Sequence, residues 1–341
     1  MDCSGLMQEV MSEYGRLTHS RLLAYLPDRE PRRHLYDIAA DYPLRGGHGL
    51  RPSICIANAK AFGASEAKTI LSAVSIELLH NALLVHDDIE DGSELRRGRP
   101  TLHELHGVPI ALNVGDTMLL MSLQPLIDNL RLLPPNVSRL ILKDRQKASW
   151  ETAEGQAMEL GWRRDNAFSI TDRDYLMMVT KKTSWLTTIH PLRVGAIIGT
   201  NGRADLASLF RLGYFLGAAF QIRDDLLNLI GELESYGKEI DGDLMEGKRT
   251  LMLLHVFRSI SDRERRELVE LMGLSREERS SQICWINSRM EKHGSIEYAR
   301  AVAEALASAA RREFVDVYRG ISDTRDRRFI EGLCRWVVER R

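Results

Sequence analysis

The chain has 341 residues, 44% hydrophobic and 28% charged, a balance that suits a folded core and excludes a disordered or fibrous polypeptide. Its net charge of -1 gives no nucleic-acid footprint, so an anionic partner would need basic residues gathered locally. Length alone leaves open two average domains or one large helical one.

Cys3, Cys55, Cys284 and Cys334 lie far apart, with no Cys-x-x-Cys pair and no histidine at metal-ligand spacing, which points to a reducing cytoplasm. No unbroken apolar run approaches the roughly 18 residues of a membrane span, and no basic segment followed by an apolar one opens the sequence. Neither a span nor an export signal is expected.

Breaks rich in Gly and Pro at 27–31, 43–49, 92–100, 134–135, 200–202, 237–247 and 273–275 separate helices of ordinary or long length. All ten prolines fall at or before Pro191, and the residues beyond it carry Leu, Ala, Glu and Arg at helical spacing. Ser275 to Glu278 fits a capping box, and Gly294-Ser295 reads as a stop followed by a fresh N-cap. Strand alternation is weak throughout, and no repeat or flexible linker divides the chain. The expectation is an all-α fold, a single-domain bundle of long helices spanning 1–341.

Near the end of the second long apolar stretch, Leu-Leu-Val-His-Asp-Asp-Ile-Glu-Asp places Asp87 and Asp91 four residues apart, on one helix face, with Asp88 beside them. Three carboxylates so close to apolar sequence call for a compensating cation, and oxygen ligands alone favour magnesium shared with phosphates. A solvated acidic helix end is the bland alternative for one such motif. A second copy argues against it: Asp224, Asp225 and Asn228 repeat the spacing after the apolar stretch 216–220. Basic candidates for phosphate lie at Arg96-Arg97, Arg51, Lys182, Lys238 and Lys248, several of them next to glycine.

In their order along 46–255, these features resemble the trans-isoprenyl diphosphate synthase (polyprenyl synthetase) family. The resemblance is carried by the first aspartate-rich motif with Arg-Arg-Gly, Gly155-Gln156, Lys182-Thr183, Phe-Gln before Asp224, and Gly-Lys-Arg-Thr250. It implies the isoprenoid synthase fold, helices around a central cavity, and condensation of isopentenyl diphosphate with an allylic diphosphate by ionisation, condensation and elimination. Asp87, Asp88 and Asp91 would bind two magnesium ions, and Asp224, with Asp225 and Asn228, a third. Arg96, Lys182 and Lys238 would hold the allylic diphosphate. Arg51, His80 and Arg97 would hold isopentenyl diphosphate, with Lys248 nearby. Thr183 and Gln221 would lie against the allylic cation, and the family is usually homodimeric.

Two positions depart from the family pattern. His48 stands where Gly-Gly-Lys is usual, making a permanent charge at the isopentenyl site titratable, and Asn228 replaces an aspartate, as in many geranylgeranyl synthases. Ala82 and Leu83, before Asp87, are not aromatic plugs, so a product of about twenty carbons is expected; the floor could instead lie near residues 118–121. Two rival readings are a class I terpene cyclase, which binds one diphosphate, and a non-catalytic subunit of a heteromeric synthase, which would not need intact metal motifs.

Overall fold

The computed structural model describes residues 3–231 and 240–340. Helix α1 (Cys3–Leu23) is followed by short helical pieces, α2 (Asp37–Ala39) and α3 (Asp41–Leu44), and by α4 (Leu50–Ala61). Helix α5 (Glu66–Asp91) runs unbroken because it contains neither Gly nor Pro, and it stops at Gly92, whose φ of 63° a Cβ would resist.

A two-residue ladder comes next, β1 (Leu95–Arg96) antiparallel to β2 (Arg99–Pro100), the only strands among the described residues. The connecting Arg97 and Gly98 both have positive φ, 55° and 71°, as a tight two-residue hairpin requires. Strand signal is weak in the sequence, yet this hairpin is what aims the paired arginines.

Helices α6 (Leu102–His106), α7 (Val108–Met121) and α8 (Gln124–Asn129) lie against α5, and α9 (Pro135–Arg164) opens on its proline at the first helical position. Helices α10 (Asp172–Val179) and α11 (His190–Gly199) are joined without a break by a π-helical stretch, Thr180–Ile189. Helix α12 (Leu206–Ile230) packs along that stretch.

The remaining helices are α13 (Gly242–Glu246), α14 (Leu251–Ser259), α15 (Asp262–Met272), α16 (Arg276–Ser280), α17 (Ile283–Lys292), α18 (Ser295–Val317) and α19 (Arg325–Glu339). Helix α18 covers a second side of α12. The capping box at Ser275 and Glu278 forms, and equivalent boxes open α10 and α15. Gly294 does turn the chain with left-handed φ, but Ser295 is the first helical residue and its hydroxyl meets His255 Nδ1 instead of capping.

The largest core joins α12 to α14, α18 and α19 through residues such as Leu216, Phe314 and Phe329. A smaller cluster, with Ile38, Tyr42, Ala82, Val85, Val114 and Met118, sits behind the first acidic motif. The expectation about membrane spans needs correcting. Both α5 and the stretch 108–129 reach the length and mean hydropathy of a span. The α5 window is 67% buried within the fold and ends in carboxylates, the pattern of a core helix. The second is 39% buried and presents an apolar face that the chain itself leaves uncovered.

Candidate active site

On the last turns of α5, residues 80, 83, 84 and 87 recur at helical spacing along one face, and that face lines a cavity of about 510 Å³ bounded by α9, α10, the π-helical stretch and α12. Ala82 is not on it. It is fully buried against α7, so the expectation that it lines the product tunnel fails by one helical position; Leu83, Leu84 and Leu119 of α7 form the apolar wall instead. Leu119 falls in the alternative floor region, 118–121.

Asp87 faces the cavity with Oδ1 3.2 Å from Lys182 Nζ and Oδ2 3.8 Å from Arg96 Nη2. Asp91 lies one turn on and accepts from Arg163 at 2.5 Å and from Lys248 at 2.8 Å. Burial alone would raise the Asp91 carboxyl, but Lys248 and Lys182 hold it below the usual range. The two lysines are raised in turn: burial lowers each, and the carboxylates outweigh it, Asp87 and Glu159 for Lys182, Asp91 and Glu246 for Lys248.

Asp88 does not meet the expectation of a metal ligand. It is buried, its carboxylate grips the Arg96 guanidinium, and Oδ2 accepts from the Tyr42 hydroxyl at 2.5 Å. A helix offers one face to a cavity, and the middle residue of this trio points off that face. Its visible work is to hold Arg96 at the cavity wall.

The π-helical stretch brings Lys182 and Thr183 to the opposite wall. It crosses α9 so closely that a Cβ on Gly155 would collide with the Lys182 backbone nitrogen and lie 2.7 Å from its Cα, which explains a glycine there. Thr183 Oγ1 donates to Gln221 Oε1 at 2.7 Å, Gln221 Nε2 donates to Asp225 Oδ1 at 2.7 Å, and Tyr175 OH donates to Asp225 Oδ2 at 2.7 Å. Burial, with repulsion from Asp243 and Asp224, raises the Asp225 carboxyl well above the usual range, opposed by those two donors. Asp224 accepts from Arg340 at 3.0 Å, and the Asn228 side-chain oxygen accepts from the Asp243 backbone N–H at 2.9 Å.

At the other end of the cavity, Arg51 Nη1 stands 3.1 Å from His80 Nε2 and Nη2 donates to Thr187 at 2.8 Å. Burial pushes the Arg51 guanidinium down to about 10. Arg97 donates to the Tyr42 carbonyl and lies across Gly47, outside the cavity lining, and His48 is exposed beside it. Of the expected isopentenyl residues, Arg51 and His80 meet, while Arg97 and His48 stand apart from them. Lys238 lies outside the described residues.

Burial, together with Arg51, Arg97 and Arg96, keeps His80 well below its ordinary value. The unfolded chain therefore takes up this proton first as pH falls below about 6.5, and folding stability drops by up to about 1.4 kcal/mol per pH unit there. Denaturant unfolding at pH 7 and pH 5.5 checks this. His80→Gln should weaken the dependence, and an unchanged slope would remove His80 as its source.

Asp87 and Asp91 of α5, Asn228 of α12, Asp243 and Glu246 line one small pocket beside the cavity. These donors are oxygens from both motifs, two of them on Asp residues of one helix face, and they suit a hard divalent cation. Among the described residues no three acidic or imidazole groups close into a protein-only cage, which agrees with an ion that completes its shell with water and phosphate. Sequence reasoning missed Glu159, Arg163, Asp243, Tyr42 and Tyr175. Each is an isolated residue on its own element, with no spacing signal to find it.

The family's sequence profile agrees with this geometry. The chain belongs to the polyprenyl synthetase family, whose profile matches residues 32–290. A geranylgeranyl pyrophosphate synthase of Geoglobus acetivorans is 31% identical over 98% of this chain and 99% of its own length. The solved geranylgeranyl pyrophosphate synthetase of Pyrococcus horikoshii superimposes with a TM-score of 0.88 at 31% identity, covering 100% of both chains. A polyprenyl synthase of Caulobacter crescentus, solved in complex with calcium and isoprenyl diphosphate, gives 0.83 at 26% identity, covering 99% of this chain and 97% of that one.

Proposed function

We propose that this chain is a prenyltransferase that condenses isopentenyl diphosphate with dimethylallyl, geranyl or farnesyl diphosphate and releases all-trans geranylgeranyl diphosphate. One observation carries the reading: a single cavity joins Asp87, Lys182 and Asp224 at one end to the Arg51–His80 pair at the other, with an apolar wall of Leu83, Leu84 and Leu119. That arrangement suits two diphosphates and one growing chain. A terpene cyclase needs only the first of the two anion sites, and a non-catalytic subunit needs neither.

Divalent cations, magnesium by the chemistry of the donors and three in number by family resemblance, would be held by Asp87, Asp91 and Asp224 and would neutralise charge on the departing diphosphate. Lys182 and Lys248 stand ready to hold that diphosphate, their charges secured by the carboxylates around them. Arg51 and His80 hold the second diphosphate, so that the isopentenyl double bond meets the allylic carbon. Thr183 and Gln221 face the carbon that becomes cationic, and the apolar wall excludes water from it. No side chain is required as the final base, since the departing pyrophosphate can take the proton.

Incubation with isopentenyl diphosphate, each allylic diphosphate and magnesium, followed by mass analysis, tests the reading. A lengthened diphosphate supports it; a cyclic hydrocarbon or alcohol identifies a cyclase, and no turnover with any starter overturns it. Product length is set at the wall, so Leu83→Phe should shift product from twenty towards fifteen carbons. An unchanged product distribution would move the floor elsewhere.

The same reading assigns the enzyme to the cytoplasm, as one domain per chain and two chains per molecule. Val108, Leu112, Leu120, Leu123 and Ile127 recur at helical spacing on α7 and α8 and are exposed, Leu120 by 71%, which supports a covered apolar face. Light scattering should give twice the 38.7 kDa chain mass, and a monomer would remove this part.

A further inference from the structure

We infer that Tyr175, Asp225 and Gln221 form a hydrogen-bonded relay that fixes the Thr183 hydroxyl as an acceptor turned on the developing allylic cation, with Tyr175 as its positioning residue. The inference rests on the prenyl transfer proposed above and concerns how its cation is stabilised.

The direction of every link comes from donor and acceptor chemistry. An ionised carboxylate only accepts, so Asp225 takes the Tyr175 hydroxyl on Oδ2 and must draw the amide nitrogen of Gln221 to Oδ1, both at 2.7 Å. Gln221 is then left with its carbonyl facing Thr183, and a carbonyl also only accepts. Thr183 therefore spends its one hydrogen on Gln221, at 2.7 Å, and presents lone pairs to the cavity that it lines.

Successive hydrogen bonds polarise one another, so the charge on Asp225 is felt at the Thr183 oxygen. This solves a chemical problem. A carboxylate against an allylic cation would be alkylated, whereas a polarised hydroxyl oxygen attracts the cation and is a poor nucleophile. Tyr175 and Asp225 are 1% and 6% exposed, so water cannot substitute for a lost partner in the relay.

The assignment also changes the role expected of Asp225. Both its oxygens are engaged by neutral donors of the relay, so it serves the cation through Thr183, while Asp224 on the same turn faces the cations of the diphosphate.

Steady-state kinetics of the wild-type enzyme, Tyr175→Phe, Thr183→Val and the double variant test this. Tyr175→Phe should lower kcat about tenfold, with both KM values and the magnesium midpoint within about twofold of wild type. Thr183→Val should cost more, and the double variant should be no worse than Thr183→Val alone, because residues of one relay are not additive. Thr183→Ser, which keeps the hydroxyl, should restore the sensitivity to Tyr175→Phe. Additive losses, or a Tyr175→Phe effect confined to the magnesium midpoint, would overturn the relay. Should Tyr175→Phe fail to fold, Asp225→Asn run through the same cycle with Thr183→Val gives the decision by the same criterion. An inactive wild-type enzyme would instead overturn the proposed function, before any variant is compared.

Discussion

Asp87→Asn should lower kcat about 10³-fold while leaving the fold intact, the scale of loss found when one preorganised electrostatic group is removed from a reacting centre. Asparagine keeps the volume and one oxygen but removes the charge. Asp87 is the member of the first motif whose carboxylate faces the main cavity, reaching both Lys182 and Arg96. Its loss would deprive Lys182 of the leading interaction that raises it, leaving Glu159 to hold the ammonium. Labelled isopentenyl diphosphate incorporation, with circular dichroism as the folding control, measures the effect. A variant within tenfold of wild type would show that Asp87 does not serve the reaction.

Gly155→Ala should damage both stability and turnover, although it adds only a methyl group. Alanine is the better helix former by about 1 kcal/mol, so in an open helix this change would stabilise. Here the added carbon meets backbone, 2.7 Å from Lys182 Cα and 2.8 Å from the Lys181 carbonyl carbon, and backbone cannot swing aside. Overpacking of about 3 kcal/mol then outweighs the propensity gain, for a net loss of about 2 kcal/mol in denaturant unfolding. Relief would come by moving α9 from the π-helical stretch, displacing Lys182 and Thr183, and a shift of order 1 Å costs about 10²-fold in kcat. A variant as stable and as active as wild type would mean that the two helices separate freely.

The all-α fold and both acidic motifs are legible in the sequence because they are local: helical spacing, proline placement and a four-residue carboxylate repeat need no knowledge of the fold. Asp87 and Asp91 fall where that spacing puts them. What the spacing cannot assign is rotation about the helix axis. Ala82 and Asp88 are expected from sequence to face the ligands, yet both point into protein, Ala82 against α7 and Asp88 onto Arg96 and Tyr42. The counter-charges are invisible for a different reason. Glu159 and Arg163 sit on α9, Asp243 on α13 and Tyr175 on α10, and only the packing of these elements brings them to the motifs. Gly155 is recognisable through the family pattern, but its necessity lies in a close approach that no composition reveals.

The π-helical stretch between α10 and α11 has a consequence for how this protein can vary. Wide turns of this kind hold residues in excess of what an α-helix would need to cover the same rise. Deleting one residue from Thr180–Ile189 would let the chain close toward regular helix and rotate α10 by about 100° relative to α11. Lys182 and Thr183 would swing off the cavity wall, while Trp185 and Ile189 would keep their packing beneath Phe210 and Ala148. Single substitutions along this stretch can be absorbed one side chain at a time. A change of length cannot, so here the number of residues is itself a functional property, held as firmly as the identity of any one of them.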